Sequence, residues 1–89
     1  MEIEFDTAKD EANIAKHGVS LIRAADMVGI VDRLDTRRNY GEPRFLRVGM
    51  LDGRIHVCAY TPRDGVRRVI SLRRANRREV NAYRAAQQG

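Results

Sequence analysis

The sequence predicts an α+β domain: two N-terminal helices packed on one face of an antiparallel sheet of about four strands, followed by a C-terminal helix. Three observations predict it. Apolar residues recur at helical spacing as far as Val28, and the period changes to two from Ile30 onward. Asp52-Gly53 then divides two alternating runs as a two-residue hairpin turn does. A chain of 89 residues has room for one modest core, so residues 1–89 read as one domain.

The elements follow in order. Glu2 to Phe5 alternates as a short edge strand would. Asp6 or Thr7 can cap the first helix, and Thr7 with Asp10 resembles a capping box. Ala8, Ala12 and Ala15 give that helix a small-residue face, and Gly18 ends it. Ser20 caps a second helix whose stripe is Leu21, Ile22, Ala24, Ala25, Met27 and Val28, until Gly29 weakens it. Ile30 to Leu34 is a possible strand, and Thr36 to Pro43 a polar loop. Arg44–Leu51, Arg54–Thr61 and Val66–Arg73 are three consecutive strands, and about Asn76 to Gln87 is a helix with only Val80, Tyr83 and alanines to pack.

The two turns set a register. A two-residue loop at Asp52-Gly53 pairs Met50 with Ile55, Val48 with Val57 and Leu46 with Ala59. A four-residue loop at Pro62–Gly65 pairs Ile55 with Leu72 and Val57 with Ile70. That apolar face is expected under the N-terminal helices. The opposite, open face then carries Phe45, Arg47, His56, Cys58, Tyr60, Arg67, Val69, Ser71 and Arg73, with Tyr60 opposite Arg67 and His56 opposite Ser71. Guanidinium groups interleaved with rings suit single-stranded RNA, the first for phosphate and the second for stacking.

Charge points to the same partner. The chain holds fifteen arginines and two lysines, six of those arginines between Val66 and Glu79. Arginine's planar fork engages phosphate bidentately and stacks on bases. Residues 1–35 carry eight acids against four bases, and residues 36–89 carry four against thirteen, so the halves net −4 and +9. Nucleic acid is favoured over a membrane surface, because no segment joins a long apolar face to a lysine-rich one.

Several chemistries are excluded. One cysteine, Cys58, allows neither an internal disulfide nor a cysteine-rich zinc site. No metal motif, Gly-rich phosphate loop or nucleophile elbow is present, and no cofactor is expected. The acidic N-terminus and short apolar runs predict neither a signal peptide nor a membrane span, hence a cytoplasmic protein. A nuclease of this composition would be metal-independent: the RNA 2′-hydroxyl attacks the neighbouring phosphate while arginines stabilise the added negative charge. The base could be His17, in Lys16-His17-Gly18-Val19, or His56. A helix-end histidine also has a structural reading, as a partner of the helix dipole.

The chain resembles the BrnT-type toxins of bacterial type II toxin–antitoxin pairs, which are related in fold to the RelE ribonucleases. The resemblance rests on three blocks in order. The first is Phe5-Asp6, Lys9, Asn13 and Lys16-His17-Gly18-Val19. The second is Arg44-Phe45, Gly49 and Tyr60-Thr61. The third is Arg68, Ile70-Ser71, Arg73-Arg74-Ala75, Arg77-Arg78-Glu79 and Tyr83. It implies a ribonuclease that stops translation, a cognate antitoxin that neutralises it, and repression of the shared operon through the antitoxin's DNA-binding domain.

The reading is thus an RNA-cleaving toxin. Its candidate catalytic residues are Arg73, His17, Tyr60 and Arg67, with Arg73 as stabiliser of the phosphorane. Its candidate RNA-binding residues are Lys16, Arg44, Arg47, Arg68, Arg74, Arg77 and Arg78. The alternatives are a non-catalytic nucleic-acid-binding module or regulator, and a protein-interaction domain whose arginine face docks an acidic partner.

Overall fold

The structure, a computed structural model, describes residues 2–88. In chain order it contains β1 (Ile3–Glu4), α1 (Thr7–His17), a 3₁₀ helix (Leu21–Asp26), β2 (Val28–Leu34), β3 (Phe45–Leu51), β4 (Arg54–Arg63), β5 (Val66–Arg74) and α2 (Arg77–Gln88). The strands make one sheet in the order β1-β5-β4-β3-β2. Strands β2 to β5 run antiparallel, whereas β1 lies parallel to β5. The expected pair of helices over about four antiparallel strands is therefore corrected to one α-helix and a 3₁₀ helix, beside a mixed sheet of five.

Local chemistry explains the N-terminal correction. Asp6, not Thr7, caps α1, its carboxylate accepting from the amides of Ala8 and Lys9 at 2.7 and 3.2 Å. Asp10 makes no capping box. Its carboxylate instead accepts from the Ser20 hydroxyl at 2.9 Å and the Leu21 amide at 2.7 Å, tying α1 to the next element. That element is short because its buried residues, Leu21, Ala24 and Met27, recur every third position. Three is the period of a 3₁₀ helix, in which such side chains eclipse. Ile22 and Val28, expected in the apolar stripe, are exposed.

The sheet register agrees with expectation for one hairpin and departs from it at the next. Leu46 pairs with Ala59, Val48 with Val57 and Met50 with Ile55, around a turn in which Asp52 and Gly53 both have positive φ. The second connection is also a two-residue turn, with Asp64 at φ 50° and Gly65 at φ 79°, so Arg63 pairs with Val66. A bulge follows: Tyr60 pairs with Val69 but Ala59 with Ser71, leaving Ile70 as the extra residue. The expected Tyr60–Arg67, His56–Ser71, Val57–Ile70 and Ile55–Leu72 pairs are replaced. Val57 faces Arg73, Cys58 faces Leu72 and His56 faces Arg74.

The covering of the two faces is corrected as well. Leu51, Cys58, Val69 and Leu72 form the main core with Leu21, Ala24 and Met27, so the N-terminal elements cover the face expected to be open. Leu46, Val57 and Ala59 make a smaller cluster with Val48, Ile70 and Ala75 on the other face. There α2 lies alongside, though none of its residues is buried. Three hydrogen bonds fasten it. Arg73 donates to both carboxylate oxygens of Glu79 at 2.8 and 2.9 Å, and the Tyr83 hydroxyl donates to the Gly29 carbonyl at 2.6 Å.

Gly29 belongs to a bulge of β2 and takes φ 62°, a conformation side chains other than glycine's adopt with strain. Opposite it, a Cβ on Gly49 would come within 2.8 Å of the Val28 carbonyl, so only glycine lets the two strands approach there.

Candidate active site

At one end of the sheet the last turn of α1, the start of β4 and the end of β5 converge on a polar cleft of about 310 Å³. His17 contributes from the last residue of α1, where Gly18 caps the helix in the left-handed conformation. Arg54 and His56 come from β4, and Arg74 from the β5 position paired with His56. Arg23, on the 3₁₀ helix, completes the basic lining and is held by Asp52 at 2.8 Å and Asp26 at 2.9 Å. Two imidazoles and three guanidinium groups thus line one space.

His56 is buried, and its Nδ1 lies 2.9 Å from the Arg54 carbonyl oxygen. A carbonyl only accepts, so Nδ1 carries a proton, and the tautomer this bond selects is the one with its lone pair on Nε2. His17 is exposed at the rim. This arrangement can accept a proton at one place and deliver one at another, beside fixed positive charge. Phosphoryl transfer to a ribose 2′-hydroxyl needs those three functions.

Tyr60 and Arg67 lie together elsewhere on the same face. The Tyr60 ring stacks on Phe45 with centroids 5.6 Å apart, and the Arg47 and Arg67 guanidinium carbons lie 5.2 and 5.9 Å from its centroid. Arg47 is itself bound by both carboxylate oxygens of Asp32 at 2.7 Å. Burial, reinforced by the nearby Asp32 carboxylate, pushes the Tyr60 phenol above its ordinary value, so it remains protonated at neutral pH. This cluster is a cation–π stack on a buried tyrosine, with one of its two guanidinium groups, that of Arg47, already paired with Asp32.

The bulge at Ile70 moves Arg73 to the α2 side, where it meets Glu79. Hydrogen bonds from Arg73 hold the Glu79 carboxyl below the usual carboxylate range. Arg68 pairs with Glu4 at 3.4 Å, and Arg44 lies 3.7 Å from the Tyr40 ring with its Nε buried and unpartnered. Lys16, Arg77 and Arg78 are exposed. Of the predicted catalytic residues, the cleft contains His17. It brings in Arg74 from the RNA-binding set and His56, the other candidate base. Arg23 and Arg54 were missed in the sequence, although Arg54, directly after the Asp52-Gly53 turn, had to stand at this end of the sheet.

Among the described residues, no three or more His, Cys, Asp or Glu side chains gather as metal donors. No helix there is long and apolar enough to cross a membrane.

Fold and cleft together define a small basic α+β domain that gathers two histidines and three arginines in one polar cleft. Residues 5–79 match the family described as the ribonuclease toxin, BrnT, of type II toxin–antitoxin systems, and the chain belongs to that family. Membership implies a cognate antitoxin as partner. No curated protein matches the chain.

Proposed function

We propose that the chain is a metal-independent endoribonuclease whose reaction takes place in the His17–His56 cleft. The Nε2 lone pair of His56 accepts the proton of a ribose 2′-hydroxyl, and the 2′-oxygen attacks the adjacent phosphorus. Arg74, with Arg54 and Arg23, stabilises the extra negative charge of the phosphorane. The bond to the 5′-oxygen breaks, and His17 at the rim gives that oxygen a proton. The products are a 2′,3′-cyclic phosphate and a 5′-hydroxyl, and DNA, lacking the nucleophile, survives. The carrying observation is that both histidines of the chain line one arginine-rich cleft.

Cellular RNA as substrate places the action in the cytoplasm, where cutting messages stops translation. The antitoxin neutralises the enzyme by laying an acidic or extended segment across the exposed Arg74 and Arg77, and the complex binds its operator DNA through the antitoxin. Purified chain incubated with RNA, with and without EDTA, tests the chemistry. Cleavage that persists in EDTA and leaves cyclic or 3′-phosphate ends is expected, while EDTA-abolished cleavage or 3′-hydroxyl ends would refute it.

A further inference from the structure

Arg54 and Arg74 line two cavities. One is the histidine cleft, and the other, of about 500 Å³, lies at the same end of the sheet on the α2 side. Met50, Ile55, Val80 and Tyr83 supply its apolar walls, and the exposed Arg84 stands beside it. The protein leaves it unfilled because α2 is held by its three fastening hydrogen bonds and inserts no buried side chain. Tyr83 is fixed at its far end by the 2.6 Å bond to Gly29, which restrains the ring beside the cavity.

We propose that this second cleft receives an unpaired nucleobase of the RNA whose phosphate occupies the histidine cleft, with Tyr83 as its stacking surface. The proposal rests on the ribonuclease reading above. A strand running round the end of the sheet meets Arg54 and Arg74 in both clefts, so phosphate and base are bound along one continuous path. Restrained rings and guanidinium planes beside apolar walls are what a splayed base uses, because every base has a π face.

The test uses the full chain and short 2′-O-methyl RNA oligonucleotides of each single base, which cannot supply the attacking hydroxyl. Titration followed by NMR should move the Ile55 and Val80 methyl and Tyr83 ring signals. Tyr83→Leu should weaken binding about tenfold, within the range for loss of one stacked base. Ala75→Leu, which narrows the cleft without touching Tyr83, should weaken binding too and serves if the Tyr83 variant loosens α2. Shifts confined to His17 and His56, or undiminished affinity in both variants, would overturn the base cleft. So would shifts produced by an acidic antitoxin peptide and not by RNA. Cleavage of unmodified RNA is measured alongside. Cleavage without these shifts sinks the base cleft alone, whereas shifts without cleavage sink the ribonuclease reading and leave the cleft standing.

Discussion

The side-chain amide of Asn13 is bonded to both backbone groups of Leu72, its Nδ2 donating to the carbonyl at 2.9 Å and its Oδ1 accepting from the amide at 3.1 Å. Strand β1 pairs with β5 only at Arg67 and Arg68, so the rest of that edge would otherwise be bare. One asparagine of α1 does the work of a strand residue. It also donates to the Val19 carbonyl at 2.9 Å, which sets the chain just after His17.

Asn13→Ala should therefore destabilise the fold by about 2–4 kcal/mol, since two buried backbone groups lose their partners. Asn13→Asp should cost more, because it replaces the donor with a buried charge. Urea unfolding checks both. A loss for Asn13→Ala below about 0.5 kcal/mol, the scatter of an ordinary surface change, would show that the edge is satisfied in some other way.

His17→Ala and His56→Gln should each slow RNA cleavage by about 10²–10⁴, the usual weight of a positioned acid or base. Arg74→Ala should cost about 10²–10³ as a lost preorganised donor. Stability separates the histidines. His17 is exposed and should leave the melting curve unchanged, whereas His56 is buried and bonded to Arg54 and should lower it. Wild-type cleavage by a folded His56→Gln protein would remove that residue from the mechanism.

Arg73 and Glu79 should behave as a fastener. Their bidentate pair is largely shielded, with 30% and 13% of the side chains exposed. A double-mutant cycle should give a coupling of about 1–3 kcal/mol, as for hydrogen bonds to charged groups. Hydrogen exchange should show α2 amides opening in Arg73→Ala while β3–β5 stay protected. If α2 remains protected and cleavage collapses, Arg73 acts on the phosphate instead.

Asp35 supplies an acid-sensitive element. Its buried carboxylate accepts from Arg37 Nε and Nη2 at 2.8 Å, from the Arg37 amide, and from the Tyr40 hydroxyl. The Arg37 hydrogen bonds hold it well below the unfolded value of about 3.9. A group depressed in this way stabilises fully above its unfolded pKa, and the contribution drains away as pH falls below it. Urea midpoints should thus decline below about pH 4, and Asp35→Asn should flatten the decline. Identical pH profiles for the two proteins would contradict it.

Much of this was legible in the residues. Asp52-Gly53 carries its register on its face, and the Asp6 and Ser20 caps and the Gly18 stop are local chemistry. Asp64-Gly65 is the same turn dipeptide, but Pro62 made its surroundings read as a longer loop. In the structure Arg67 turns its amide to Glu2 at 2.8 Å, so Pro62, its partner on β4, needs no donor towards β5. The Ile70 bulge has no local signature, yet it moves Arg73 across the sheet and brings Arg74 level with His56. That one extra residue separated the predicted catalytic group and assembled the cleft. The helices cover the other face because Cys58 and Val69 stand there and the bulge brings Leu72 round to join them.

Cys58 is the chain's single cysteine, 2% exposed, with its thiol pushed up to about 12 by burial. At neutral pH it offers almost no thiolate to an alkylating reagent. The wild-type protein is therefore a silent background for labelling. One cysteine introduced on α2 or at the rim beside Lys16 would be the sole reactive thiol, and a dye or spin label there could follow antitoxin and RNA arriving in real time without a cysteine-free variant having to be made.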